Sequence, residues 1–414
     1  MVISRRKFLS GSLGTLSLCL TQPDLLALAA QAANLAPRAG GTGKILVIVQ
    51  MAGGNDGLNT VVPYAEGNYY QARPQLAIQA SEALPLNGQL GLNPNLAGFI
   101  ELFKQGKLAI VQAVGYPHPN RSHFRSMEIW QTAQPDRIGD TGWLGRYLDL
   151  VVAETHGKPA NLLPAVNVDP LLPKSLSASK VIVPSVDNVR DFRFRTDPRF
   201  QADRQAQVAA FKDIYTSFKL NRPNVDLLRQ VGLDANEASD LLLKSVRSYK
   251  GSVSYPANQF AERLRFIAQM IAGGVNSRVY NISLSGFDTH VNQTRTQNGL
   301  LKQLSDGLLA FQQDLEAHAV DKDVVVLTVS EFGRRVAENG GRGTDHGTAA
   351  PLFVIGSSIK GGIYGDSASL SYLDQGDLKY KIDFRCVYGT ILDRWLNADS
   401  RQILGANFDH LEFI

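Results

Sequence analysis

Lys44-Ile-Leu-Val-Ile-Val-Gln50, running on into Met51-Ala-Gly-Gly-Asn-Asp-Gly57, is the stretch from which the fold is read. Its apolar residues follow one another without alternating with polar ones. A strand with that pattern is covered on both faces, as the strands of a parallel sheet are. Runs of the same kind stand at Leu108–Ala113, Arg278–Leu284, Val324–Val329 and Leu352–Ile355. Between them, Leu96–Phe103, Phe260–Ile271 and Leu300–His318 carry apolar residues at helical spacing. Buried strands alternating with helices predict an α/β fold, a mostly parallel sheet with helices on both faces. Phe384–Leu396, with Val387, Ile391, Leu392 and Trp395 on one side, is expected to close the domain as a helix.

Apolar residues make up 44% of the 414, enough for a large core, which excludes wholesale disorder. The 42 Lys and Arg exceed the 38 Asp and Glu by four, and Arg5, Arg6 and Lys7 account for part of that excess. The body of the chain is nearly neutral, which gives no support for nucleic-acid binding. Residues 158–255 differ in texture. Their first part is rich in Pro, Val, Ser and Arg, and 203–219 and 225–249 look helical. The whole segment reads as an insertion or cap on the main sheet. The Asp-punctuated stretch 366–381 reads as a loop.

The N-terminus reads as an address. Ser4-Arg-Arg-Lys-Phe-Leu9 is the pattern of a twin-arginine export signal. A moderately apolar segment, Phe8 to Leu20, comes next, and then Ala27-Leu-Ala29 and Ala30-Gln-Ala32, small-residue pairs that a signal peptidase cuts. Cleavage near Ala32 is expected, with 33–43 as a flexible lead-in to a domain spanning 44–414. The mature protein is then expected in the periplasm or outside the cell. No apolar stretch reaches the roughly 20 residues a membrane span needs, so no transmembrane segment is expected after cleavage. Cys19 falls in the signal, leaving Cys386, which is expected to be buried and has no partner for an intramolecular disulfide.

In a parallel α/β sheet, ligands bind beyond the C-terminal ends of the strands. The residues just past each buried run are therefore the place to look for chemistry. Gly53-Gly-Asn-Asp-Gly57 offers Asn55 and Asp56 either as an Asx turn or as groups that bind a substrate or cation. His118-Pro-Asn-Arg-Ser-His-Phe-Arg125 puts Arg121, Ser122 and His123 at the start of an expected helix, Phe124–Thr132. Ser122 there is either a helix cap or a nucleophile and anion contact. Asp288 and His290, two apart on an extended segment after the third run, point the same way and suit one metal ion, or a carboxylate orienting an imidazole. Glu331 arrives at the end of the fourth run, with Arg334 and Arg335 close behind; arginine suits phosphate, sulfate or carboxylate. Finally Gly341-Arg-Gly-Thr-Asp-His-Gly347 places Arg342, Asp345 and His346 in a glycine-rich loop before the fifth run, where glycine permits close approach to a ligand.

Taken together, the leader, Gly53-Gly-Asn-Asp-Gly57, Asn120-Arg-Ser-His-Phe124, Gly286-Phe-Asp-Thr-His290, Ser330-Glu-Phe-Gly-Arg334 and Gly343-Thr-Asp-His-Gly347 resemble a bacterial family of exported proteins known as DUF1501, over nearly the whole chain. More remotely, the same order is similar to the alkaline phosphatase and sulfatase superfamily. That resemblance implies an alkaline-phosphatase-like fold. It matches Asp56, or Asn55, to the first metal-ligating acid and Ser122 to the nucleophile. It matches Asp288 and His290 to a metal-ligand pair, and His346 to the last histidine. Glu331-Phe332 stands where the superfamily has Asp-His, and Phe ligates nothing.

Two functions are expected from this reading. The first is hydrolysis of a phosphate or sulfate ester, a small anionic or carbohydrate-linked substrate. Ser122 is the nucleophile, with Arg121 and Arg334 neutralising charge and Asn55, His123 and Arg342 binding substrate. The metal is a divalent ion (Zn, Mn or Ca) held among Asp56, Asp288, His290, Glu331, Asp345 and His346. The alternative is a non-catalytic binding protein on a degenerate version of the fold, which the missing Asp-His pair favours.

Overall fold

The computed structural model describes residues 43–154, 163–187, 201–217, 223–251 and 253–414. The expected export signal and most of the lead-in lie outside the described residues. In chain order the strands are β1 (Ile45–Ala52), three short ones, β2 (Val61–Val62), β3 (Leu84–Pro85) and β4 (Gly91–Leu92), then β5 (Leu108–Gly115), β6 (Ala165–Asn167), β7 (Val279–Ser285), β8 (Val324–Val329), β9 (Ala350–Ile355), β10 (Gly362–Tyr364) and β11 (Ile382–Asp383). The helices are α1 (Gly67–Ala72), α2 (Ala97–Lys104), α3 (His123–Thr132), α4 (Trp143–Glu154), α5 (Gln201–Ser217), α6 (Pro223–Ser248), α7 (Gln259–Ala272), α8 (Gln293–Ala317), α9 (Phe384–Thr390) and α10 (Ser400–Leu404). Helix α9 runs on through a wider π turn at Ile391–Trp395.

The main sheet has the order β10-β5-β9-β8-β1-β7-β6, with β11 also on β5. Every pairing in it is parallel except those of β9, which runs antiparallel to both β5 and β8. Alternate residues of β1 face two separate cores. Ile45, Val47, Val49 and Met51 pack with Phe99 of α2, Leu264 of α7 and Leu301 of α8. Leu46 and Ile48 pack with Trp130 of α3, Trp143 of α4 and Tyr388 of α9. Helices thus cover both faces, as the unalternated strand sequences require, and each large apolar side chain so buried contributes about 1.5–3 kcal/mol.

Within the segment expected as an insertion or cap, β6 is the outer strand of the main sheet, paired with β7, and Ala238 and Leu242 of α6 enter the first core. Helix α8 begins seven residues before the expected Leu300. Its first two turns bury Gln293 and Gln297, polar residues that leave no apolar stripe to read. Among the described residues no helix is long and apolar enough to cross a membrane.

This topology gathers the motifs. β1, β5, β7 and β8 all point the same way, so the loops after them open at one edge of the sheet. Because β9 runs in the opposite direction, the loop before it, Gly343–Gly347, lies at that edge too.

Candidate metal centre

Strand β1 ends in two glycines with backbone conformations closed to other residues, Gly53 at φ 120° and Gly54 at φ 81°. A Cβ on Gly53 would stand 2.3 Å from the amide nitrogen of Asp288, and one on Gly54 2.3 Å from the Phe332 ring. The pair therefore lets the ends of β1, β7 and β8 meet. Hydrogen bonds fasten the junction: Gly53 N–H donates to Glu331 Oε1 (2.7 Å), and Asn55 N–H donates to Ser330 Oγ (2.9 Å).

Three imidazoles converge there, brought by three loops. His123 Nδ1 lies 3.0 Å from Glu331 Oε1, His290 Nδ1 3.1 Å from Asp345 Oδ1, and His346 Nδ1 2.8 Å from the backbone oxygen of Arg121. Carboxylate and carbonyl oxygens only accept, so a proton on each Nδ1 satisfies the outer oxygen, and Nε2 is left to meet Asp288 either as a lone pair toward a cation or, where it carries a proton, as a donor. The three Nε2 atoms gather around Asp288. His123 Nε2 is 3.5 Å from Oδ2, and His290 and His346 Nε2 are 3.0 and 3.2 Å from Oδ1. His290 and His346 Nε2 are 2.9 Å apart. Acceptors this close repel unless a proton or a cation lies between them. The ligand atoms of His123, Asp288 and His346 all fall within 4.8 Å of one another, the reach of a single ion. The Phe332 ring packs against His123 and His346, with centroids 4.9 and 4.6 Å away.

The electrostatics agree with this geometry. Burial works against ionising Asp288, but hydrogen bonds from Arg334 and His346 outweigh it and hold the carboxyl at about 2. Burial pushes the His346 imidazole below its ordinary value, despite its bonds to Asp288 and the Arg121 carbonyl. Hydrogen bonds from Asn339 and His290 lower the Asp345 carboxyl. The centre thus holds an ionised carboxylate beside an imidazole biased toward its neutral, ligating form.

The remaining expected residues take other roles, and several expectations are corrected. Asp56, expected as a ligand, is fully buried and bound to Arg73 Nη1 (2.6 Å) and the Gln293 amide. Asn55, expected to bind substrate, is buried too, its Oδ1 taken by Thr60 Oγ1 (3.0 Å) and Gln297 Nε2 (2.8 Å). Arg334, expected to meet substrate, is 1% exposed. It donates to the backbone oxygens of Gly53, Gly54, Phe287 and Thr344, and to Asp288 Oδ1 at 2.8 Å. Arg334 is therefore a strut that ties three loops together and holds Asp288. Glu331 and Asp345, expected as ligands, stand behind His123 and His290 and orient them; the second oxygen of Glu331 is buried without a partner. Carboxylates in this place fix tautomer and ring direction, as outer partners of metal ligands do. His123, expected to bind substrate, instead belongs to the set that converges on Asp288.

Arg121 gives its guanidinium to Asp377, with Nε 2.7 Å from Oδ2. Ser122 is the exposed N-cap of α3, as expected, yet its side chain makes no capping hydrogen bond. Arg342 is exposed, in a left-handed conformation (φ 58°), and its carbonyl accepts the first amide of α8. Sequence reading missed Arg73 and Asp377, because neither stands in a motif or after a main-sheet strand.

The fold and the site define an α/β protein with a candidate His/Asp metal site at one edge of a mostly parallel sheet. Residues 43–401 match the family described as "Protein of unknown function (DUF1501)", and the chain belongs to that family. No curated protein matches the sequence. Among solved structures, the chain is similar to PsFucS1 sulfatase from Pseudoalteromonas sp., at 12% identity and TM-score 0.40 over 99% of this chain and 75% of that one. It is also similar to a protein in the alkaline phosphatase superfamily from Vibrio parahaemolyticus, at 11% identity and TM-score 0.34 over 84% and 71% of the two chains. A phosphonate monoester hydrolase of Agrobacterium radiobacter matches at 8% identity and TM-score 0.35 over 88% and 78%.

Proposed function

We propose that the chain is an exported, metal-dependent hydrolase of phosphate or sulfate esters, with Ser122 as the nucleophile. One observation carries this reading: three imidazoles commit Nδ1 to an oxygen and turn Nε2 toward the ionised Asp288. That donor set fits a divalent cation held by His123, Asp288 and His346, with His290 alongside. Nitrogen-rich ligation suits zinc or manganese better than calcium, which takes oxygen ligands. When bound, such a cation polarises an ester oxygen and lowers the pKa of a hydroxyl.

Ser122 adjoins His123, is exposed, and stands at the start of α3, where free amides and the helix dipole favour negative charge. Its Oγ forms a bond to phosphorus or sulfur, the bond to the ester oxygen breaks, and the hydroxyl proton ends on the departing alcohol. Water then releases phosphate or sulfate from the serine. Arg342, exposed in the loop that carries Asp345 and His346, meets the anionic group. The substrate is a small anionic ester, free or carried on a carbohydrate. The twin-arginine leader sends the protein to the periplasm or beyond.

The test is Ser122→Ala, assayed on aryl phosphates and sulfates with zinc or manganese. Turnover is expected to fall by at least ~10³-fold while cation content stays at the wild-type level. Full activity in that variant would remove Ser122 from the role. A non-catalytic binding protein is the second reading, favoured by Asp56 and Arg334 being internal struts. It predicts cation binding without hydrolysis of any ester, and a chelator-sensitive hit in the screen eliminates it.

A further inference from the structure

We propose that Asp377 is a positioning residue for the cation site, acting through Arg121 on His346; this rests on the cation-site reading above. Asp374-Gln-Gly-Asp377 is a tight hairpin turn. Its central residues Gln375 and Gly376 have φ of 50° and 90°, and Asp374 and Asp377 exchange both backbone hydrogen bonds (3.0 and 2.9 Å). The turn delivers a carboxylate that is 1% exposed. Its Oδ2 accepts from both Nε and Nη2 of Arg121, and its Oδ1 faces Arg335 Nε at 3.8 Å. A guanidinium that gives two of its donors to one fixed carboxylate has little rotational freedom.

The other end of Arg121 matters to the site. Its backbone oxygen is the acceptor for His346 Nδ1–H. That bond favours the tautomer with the proton on Nδ1, against the pull of the Asp288 carboxylate on Nε2, and so makes Nε2 available as a ligand atom. If the peptide after Arg121 rotates, the acceptor is lost, the ring is free to carry its proton on Nε2, and a ligand becomes a donor. Asp377 thus holds the chain that holds the tautomer, although its own side chain touches neither His346 nor Asp288.

The test compares Asp377→Asn with wild type and with Asp366→Asn. Asp366 pairs with Lys381 at 3.5 Å near the ends of the same 366–381 stretch and serves as a control. Zinc dissociation constants are measured by competition with a chromophoric chelator, and ¹⁵N spectra of the metal-free proteins report the His346 tautomer. Asp377→Asn is expected to weaken zinc binding about 10- to 100-fold and to mix the tautomers of His346, leaving His290 as in wild type. Asp366→Asn is expected to change neither. If Asp377→Asn fails to fold, Arg121→Lys keeps the charge, loses the fork and is expected to give the same two changes. A folded Asp377→Asn with wild-type affinity and a wild-type His346 spectrum overturns the proposal, even where its melting temperature is lower. If wild type binds no zinc, the cation-site reading fails, and the metal-free spectra alone decide whether Asp377 governs His346.

Discussion

Asp56 and Asp288 enter the chain in the same way and end in opposite states. Each comes after a glycine turn at the end of a strand of the sheet, and those strands, β1 and β7, are parallel neighbours whose last residues, Ala52 and Ser285, are in register. Asp56 is fully buried, whereas the side chain of Asp288 is 46% exposed. The difference lies in the chemistry that meets each carboxylate. Arg73 reaches under the end of β1 and spends its donors on Asp56, Asn59 Oδ1 and the carbonyls of Arg335 and Val336. Together with the Gln293 amide it gives Asp56 Oδ2 two hydrogen-bond donors, one of them charged, while Oδ1 is buried without a partner. Asp288 receives a guanidinium contact too, from Arg334, but its other neighbours are the Nε2 atoms of three imidazoles, which can face it with a proton or with a lone pair. The buried anion has its counter-charge within the fold, in Arg73. The half-exposed anion shares Arg334 with the backbone and meets three imidazole Nε2 atoms, between which a cation or protons must lie.

The largest test of that contrast falls on Asp56. Arg73→Met leaves a buried carboxylate without its counter-charge and is expected to cost about 3–5 kcal/mol, read by urea unfolding. Zinc stoichiometry of the folded fraction is expected to stay at the wild-type level. A loss of zinc at intact fold would mean that the two acids form one site and would break the comparison. The next effect falls on Asp288. Asp288→Asn keeps an oxygen for Arg334 but removes the charge that the imidazoles surround. Its zinc dissociation constant is expected to rise by more than ~100-fold, beyond the loss typical of an outer partner, with urea stability lowered by only about 1 kcal/mol. Unchanged zinc content, by elemental analysis after dialysis, would show that the imidazoles do not meet at Asp288 around an ion.

The same physics decides how much of the molecule is legible in its sequence. The five long strands can be read because burial on both faces leaves unbroken apolar runs, and β8 appears over the expected Val324–Val329. The direction of β9 cannot be read, since apolar runs carry no sign. Yet that reversal brings Asp345 and His346 to the edge where His123 and Asp288 stand. Asp288 and His290 are legible as a pair because two-residue spacing on an extended segment fixes a common side. The burial of Asp56 is not, because it depends on Arg73, seventeen residues on, and on Gln293, far along the chain. For the same reason the first turns of α8 escape the sequence: Gln293 and Gln297 face the polar floor around Asn55 and Asp56, so burial there leaves no apolar signature. Local pattern records which residues are hidden from water, and partners that close a polar site from a distance leave no trace in it.

The smallest effect is read on Asp288 by pH. The Asp288 carboxyl is held at about 2, below its ordinary value near 3.8. A depressed carboxylate stabilises the fold fully above its unfolded value and loses that contribution as pH falls through the folded one. In the metal-free protein, acid-unfolding curves of wild type and Asp288→Asn are therefore expected to differ above about pH 4 and to merge toward pH 2. The difference should be on the order of 1 kcal/mol, since solvent screens a half-exposed group. Coincident curves at all pH values would mean that Arg334 and His346 do not hold the carboxylate ionised.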